Sequence, residues 1–181
     1  MKRHILLTGP PGIGKTTVVK KVCNLLNARN VSVKGFFTEE IRNSGKRIGF
    51  DIVTLDGQRG VLARLSQTES SRYRVGQYAV SVQSFETYAL PVFLIQPNSG
   101  GILVLDEIGR MELLSEKFTQ EVQKAFSNPV ITILATIPIP KGRPIPLIDS
   151  LRKRPDTVLL EVDRNNRDGL VDQVFDMLTK T

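Results

Sequence analysis

The sequence predicts an α/β fold in three layers, with helices covering both faces of a mainly parallel central sheet. Three observations predict it. Short β-prone runs alternate with segments of helical period, which implies crossover connections and a parallel sheet. Ile102 to Leu105 and Val130 to Ala135 are continuously apolar, as strands buried on both faces are. A glycine-rich turn joins the first strand directly to the first helix.

Residues 3–8 read as a buried strand, followed by a helix from Lys15 to Ala28 with Val18, Val22, Leu25 and Leu26 at helical spacing. Val31 to Thr38 reads as a second strand. Turn residues at Asn43–Ser44–Gly45 and Asp56–Gly57 then set off two short β-prone runs, Ile48 to Leu55 and Gly60 to Leu65. This predicts a hairpin elaboration over about 39–65 at one edge of the sheet. A polar surface loop is expected over 66–73 and a strand over Tyr78 to Val82. Ser84 is the expected N-cap of a helix carrying Phe85, Tyr88, Ala89 and Val92 to Ile95, with Pro91 bearing on where it ends. Pro97 to Gly101 reads as a turn. Ser115 is expected to cap a helix reaching about Phe126. A proline-rich stretch from Thr136 to Pro146 precedes a short helix over Ile145 to Lys153. A strand over Val158 to Val162 and a helix over Arg167 to Leu178 complete a single domain spanning 1–181.

Composition narrows the function. Of 181 residues, 40% are hydrophobic and 24% charged, which suits an ordinary globular core. No run approaches the roughly 18 apolar residues of a membrane span. The basic start MKRHILL is too short a hydrophobic segment for a secretory leader and runs into a glycine loop, so a cytoplasmic location is expected. Cys23 is the one cysteine, which excludes an internal disulfide, and it reads as a small core residue. His4 is the one histidine, which argues against a histidine-built zinc site. The net charge of +7 comes from scattered basic residues without interleaved aromatics. It suits attraction of phosphates, and no nucleic-acid partner is expected.

Residues 9–17 read GPPGIGKTT, matching G-x-x-x-x-G-K-[ST] at Gly9, Gly14, Lys15 and Thr16. The glycines, Gly12 among them, let the backbone curl so that successive amides face an anion. The loop opens into a helix whose N-terminal dipole also favours negative charge. Pro10 and Pro11 stiffen it, and Ile13 and Thr17 complete the segment. Lys15 is placed to reach the β- and γ-phosphates, and the Thr16 hydroxyl to ligate Mg²⁺. These residues predict a nucleoside triphosphate as ligand.

Residues 102–107 read ILVLDE, an apolar strand ending in two acids. Asp106 falls at the carboxyl end of that strand, where ligands of open α/β sheets bind, and is placed to hold Mg²⁺. Glu107 is placed to orient a water in line with the γ-phosphate, a structural pairing with Arg110 being the alternative. Arg110 itself suits either the transferring phosphoryl charge or an acid. Adjacent acids of this kind occur in P-loop ATPases in which one further strand separates the phosphate-loop strand from the acidic one. No N-K-x-D string is present to select guanine, and Asn166–Arg167 could flank a base without selecting it.

A resemblance sharpens this reading. GPPGIGKTT, FFTEEIR (36–42), RIGFDIVTLDG (47–57), RVGQY (74–78), LVLDEIGRMEL (103–113) and TIPIPKGRP (136–144) occur in order along nearly the whole chain. Together they resemble the small nucleoside-triphosphatase family of the animal cancer-related nucleoside-triphosphatases, which has members in thermophilic microbes. The resemblance implies a RecA-like P-loop NTPase domain and slow hydrolysis of several NTPs. It implies Gly9 to Thr16 as phosphate loop and Asp106 and Glu107 as magnesium and catalytic acids. Leu103, Val104, Leu105, Asp106, Glu107, Ile108, Gly109 and Arg110 together resemble a second nucleotide-binding segment. Glu39, Glu40, Arg74 and Lys141 lie in shared strings without an assigned chemistry. A monomer is expected. The competing expectations are a small-molecule kinase, its acceptor near 39–65 or 66–76 with Arg72 and Arg74, and a nucleotide-dependent binding switch.

Overall fold

A computed structural model of the chain describes residues 2–66, 72–94 and 101–180. Among these, nine strands form one sheet in the order β5-β6-β4-β3-β2-β7-β8-β1-β9. Five of them run parallel: β2 (Val33–Asn43), β7 (Gly101–Asp106), β8 (Ile131–Thr136), β1 (His4–Thr8) and β9 (Thr157–Glu161). Beyond β2 the sheet continues as an antiparallel wing of β3 (Lys46–Thr54), β4 (Arg59–Leu65), β6 (Tyr78–Val80) and β5 (Arg74–Val75). The expected hairpin is thus an in-plane extension of one edge.

The pleat divides each central strand between two cores. Ile5, Leu7, Ile102, Val104 and Leu134 face α1 (Lys15–Ala28) and α5 (Arg167–Thr179), packing on Val18, Val22, Leu26, Leu170 and Val174. Leu6, Leu103, Leu105, Ile133 and Ala135 face the other way, toward α2 (Val82–Ala89), α3 (Glu116–Ser127) and α4 (Pro146–Arg152). There Phe36, Phe85, Phe93 and Phe118 form an edge-on and tilted cluster with centroids 5.0 to 5.9 Å apart, the geometry aromatic rings prefer. Both faces are covered, which gives the three layers. Cys23 is a buried core residue as expected, and burial pushes its thiol up to about 12.

Local chemistry sets the boundaries. Ser44 and Gly45 both have positive φ, 48° and 78°, the conformation that matches a two-residue hairpin to strand twist. The strand β2 therefore runs to Asn43 before turning. That strand starts later than Val31 because the Val31 N–H donates to the Leu26 carbonyl and still belongs to the end of α1. Ser115 caps α3 as expected, its Oγ accepting from the Phe118 N–H at 3.0 Å. Ser84 is not a cap. The Ser81 N–H is tied to Leu62 and its carbonyl accepts from Phe85 at 2.9 Å, so the helical turn closes from Ser81 and Ser84 lies inside α2. Pro91 does not interrupt that helix. It falls in the first turn of a 3₁₀ segment, Leu90–Phe93, where its missing N–H costs nothing. The loop expected at 66–73 falls mostly, and the turn at 97–101 almost wholly, outside the described residues, as does Ile95. Among the described residues, no helix is long and apolar enough to cross a membrane.

His4 is fully buried in β1 against the Phe126 ring, and its Nδ1 accepts the Ile133 N–H at 3.2 Å. Burial, with Arg3 adding to it, lowers its pKa from 6.5 to about 4. The unfolded chain therefore takes up a proton below its ordinary value that the folded chain refuses until about pH 4. The His4 contribution to stability is present above that range and is lost as pH falls through it. In urea unfolding, the stability difference between wild type and His4→Gln should drop by on the order of 2–3 kcal/mol from about pH 7 to about pH 4. A difference independent of pH would refute this role.

Candidate active site

Three adjacent strands end level with one another. β8 lies between β1 and β7, as expected for an adjacent acid pair, with Leu7 in register with Thr136 and Leu105 with Ala135. The glycine loop leaves β1 and the two acids leave β7, so both segments meet at the carboxyl edge of the sheet. They line one cleft of about 1110 Å³, together with Thr38, Pro138, Ile145 and Arg152.

The loop takes its shape from positions where a side chain is excluded. A Cβ on Gly9 would stand 2.7 Å from the Val162 carbonyl oxygen. Gly14 enters α1 with a φ of 112°. The Ile13 N–H closes onto the Pro10 carbonyl at 3.2 Å. Gly9, Pro11, Gly12, Gly14, Lys15, Thr16 and Thr17 line the cleft, while Ile13 packs against the core on the α1 side. Lys15 Nζ donates to the Gly9 carbonyl at 2.8 Å, which folds its ammonium back over the loop. No residue of the first helical turn is acidic, so the positive end of α1 is not neutralised.

Asp106 is 2% exposed. Burial raises its pKa, and the hydroxyls of Thr136 and Thr16, followed by the Lys15 charge, pull it back. Thr136 donates to Oδ1. Thr16 lies close enough to favour the ionised form, yet among the described residues no donor completes a hydrogen bond to Oδ2, which is buried. A buried carboxylate oxygen without a partner, beside a threonine hydroxyl and open to a phosphate loop, is the donor set a hard divalent cation takes. Among the described residues no three His, Cys, Asp or Glu side chains form a chelating cluster. Mg²⁺ is commonly held by one or two carboxylates plus phosphate and water, and the Asp106 and Thr16 oxygens would fit that kind of site.

The peptide bond between Asp106 and Glu107 is cis. Burial also raises the Glu107 pKa, offset by Lys15 and reinforced by the Asp106 charge. Glu112, 5% exposed, is raised well above the ordinary range by burial and then by Glu107. Its Oε2 accepts the Gly109 N–H at 3.1 Å. The Ile108 N–H donates to the Thr136 carbonyl at 2.9 Å, fixing the segment after the acids onto β8.

The remaining expected residues divide clearly. Leu103, Val104, Leu105 and Ile108 are fully buried core side chains that support the site without lining it. Arg110 pairs with no acid among the described residues, Glu107 included. It donates instead to the carbonyls of Arg143 and Lys141, the latter at 3.0 Å, because the proline-rich segment crosses in front of it. Glu39 bonds Lys20 and Arg59, each at 2.6 Å, and Glu40 pairs with Arg42 and Arg47, so both carboxylates are engaged at the cleft wall. Arg74 is in β5 and donates to the Ser66 carbonyl at 3.1 Å. Arg167 reaches the phosphate loop, donating to the Ile13 carbonyl at 3.2 Å, while Asn166 Nδ2 donates to the Glu161 carbonyl.

Two residues of the site went unread in the sequence. Thr136 carried a signal, a hydroxyl closing an apolar strand. Arg152, whose Nη2 donates to Thr8 Oγ1 at 3.1 Å and to the Pro138 carbonyl, carried none within the basic run RKR.

The family model described as NTPase matches residues 4–175. The chain belongs to the NTPase family. NTPase-family relatives include the cancer-related nucleoside-triphosphatase of Homo sapiens, 46% identical over 181 residues, covering 96% of this chain and 95% of the relative. Nucleoside-triphosphatase THEP1 of Thermotoga maritima is 40% identical, covering 96% and 94%. The solution structure of a human cancer-related nucleoside triphosphatase superposes with a TM-score of 0.86 at 44% identity, over 99% of this chain and 98% of that one. The three-layer P-loop fold is therefore that of solved NTPase-family structures.

Gly109 lies where the Glu107 and Glu112 carboxylates meet. A Cβ there would stand 2.6 Å from Glu107 Oε1 and 2.9 Å from Glu112 Oε2. Gly109→Ala should displace the Glu107 carboxylate and lower kcat for NTP hydrolysis by on the order of 10²-fold, the cost of a roughly 1 Å misplacement. Steady-state phosphate release with an unchanged urea midpoint checks it, and wild-type turnover would refute it.

Proposed function

We propose that the chain hydrolyses nucleoside triphosphates to the diphosphate and inorganic phosphate, with Mg²⁺ and broad base specificity. The observation that carries this reading is the convergence of the phosphate loop and the Asp106–Glu107 pair on one cleft, with Asp106 Oδ2 buried and unpartnered.

The loop amides and the Lys15 ammonium hold the β- and γ-phosphates. Thr16 and Asp106 would hold Mg²⁺, which when bound offsets the charge on the β- and γ-phosphate oxygens. Glu107 accepts a hydrogen bond from the attacking water and takes its proton as the oxygen–phosphorus bond forms and the bond to the diphosphate breaks. Burial supports this role, because it raises the affinity of that carboxylate for a proton. Catalysis is then positioning and electrostatics without a covalent intermediate. Broad base specificity is supported by the absence of a guanine-selecting string and by Arg167, a flat cation beside the loop that can stack on any base.

Glu107→Gln should keep NTP affinity while lowering kcat by about 10²–10⁴-fold, the contribution of a general base. Unchanged turnover in single-turnover phosphate release would remove Glu107 from the mechanism. Lys15→Ala should weaken NTP binding in equilibrium titration, and equal affinity would count against the phosphate-loop role. Phosphate release from ATP, GTP, CTP and UTP, with and without Mg²⁺, tests the reading as a whole.

A further inference from the structure

The cleft is larger than the triphosphate site. It extends from the phosphate loop past the acids and along the antiparallel wing, where Arg47, Phe50, Leu62 and Val75 line it. Strand order sets the distance. Phe50 lies in β3, two strands beyond β7 and four beyond β1. At roughly 4.8 Å per strand, its backbone stands about 10 Å past the acidic strand and about 19 Å from the phosphate-loop strand. A γ-phosphate in contact with both Lys15 and the Asp106 cation is confined between β1 and β7. Asn166 and Arg167, proposed above to flank the base, do not line the cleft, so a base held between them leaves the wing end of the cleft unfilled.

The chemistry of this second compartment differs from that of the first. Leu62 is buried, and the half-buried Phe50 ring meets Tyr78 edge-on at 5.4 Å. The Arg47 guanidinium sits 5.4 Å from the centroid of the Phe50 ring. It shares the Glu40 carboxylate with Arg42, so its charge is only partly neutralised. The proline-rich segment presents Lys141 and Arg143 to the same cleft, and neither is in an ion pair among the described residues. Arg110 holds that segment by its backbone carbonyls, which leaves both cationic side chains free to meet a ligand.

We propose that this compartment is a binding site for a second small molecule, an organic anion with a flat apolar body. The body lies against the half-buried Phe50 and Val75, with the buried Leu62 behind them, and the anionic group meets Arg47, Lys141 and Arg143. The site faces the γ-phosphate, a placement that rests on the triphosphatase reading above.

The test uses the full-length protein and the fluorescent aromatic sulfonate anilinonaphthalene sulfonate as probe. Wild type should bind the probe saturably, with and without saturating Mg·ADP. Arg47→Glu and the double variant Lys141→Glu/Arg143→Glu should each weaken binding at least about fivefold, an energetic cost of roughly 1 kcal/mol. Basal NTP hydrolysis should stay within about twofold of wild type in both. Thermal unfolding followed by circular dichroism confirms that each variant is folded, and two independent surface variants keep the test alive if one is not. Absent or non-saturable binding, displacement by Mg·ADP, or equal affinity in both variants would overturn the proposal. The two readings fail separately. Unaltered probe binding with intact hydrolysis removes only the second compartment, whereas wild type without Mg²⁺-dependent phosphate release removes the triphosphatase reading.

Discussion

The candidate site is organised around one carboxylate buried at the end of a strand, at the edge of the cleft. Asp106 ends the central strand with almost no exposure, and burial of an ionised group is costly unless something compensates. The protein supplies part of that compensation through Thr136, Thr16 and Lys15. It leaves the rest open at Oδ2. The register of β1, β8 and β7 makes this possible, because it brings a threonine from the middle strand level with the acid. Shifting β8 or β7 by one residue would turn Thr136 or Asp106 to the other face.

The two halves of the sheet divide the labour. The parallel half carries the phosphate loop, the acids and the apolar layers that hold them, and its strands are buried on both faces. Among the described residues, the antiparallel wing contributes no group to the phosphate site. Glu39 of β2 pairs with Lys20 of α1 and with Arg59 of the wing, and Asp51 pairs with Arg59 and Arg64, which ties β2 to α1, the wing to β2 and the wing to itself. Glu39 is held below the usual carboxylate range by its bonds to Lys20 and then Arg59. Partly exposed pairs of this kind contribute little to stability one by one, so the wing is held chiefly by its strand pairing and its apolar face.

Much of this was legible in the sequence because the relevant signals are local. The helix Lys15–Ala28 agrees to the residue with its apolar spacing, and a motif that bends backbone onto an anion leaves its glycines in plain view. Asp106 and Glu107 drew attention in the sequence because they close a continuously apolar strand. Contacts between distant segments were not legible. Arg110 turned to the carbonyls of residues more than thirty positions away, and nothing in DEIGRMEL encodes that choice. Ser84 looked like a cap because its residue type fits, while the hydrogen bond that closes the turn came from the backbone of Ser81. The boundary of β2 was set by a helix ending, which pattern alone places poorly.

The lone cysteine has a practical consequence. Cys23 is buried and its thiol is pushed up to about 12, so it presents almost no thiolate to reagents near neutral pH. A cysteine engineered on an exposed position would be the reactive thiol of the native chain. Dyes, spin labels or crosslinkers could then be attached at a chosen point without first stripping the protein of its natural sulfhydryl.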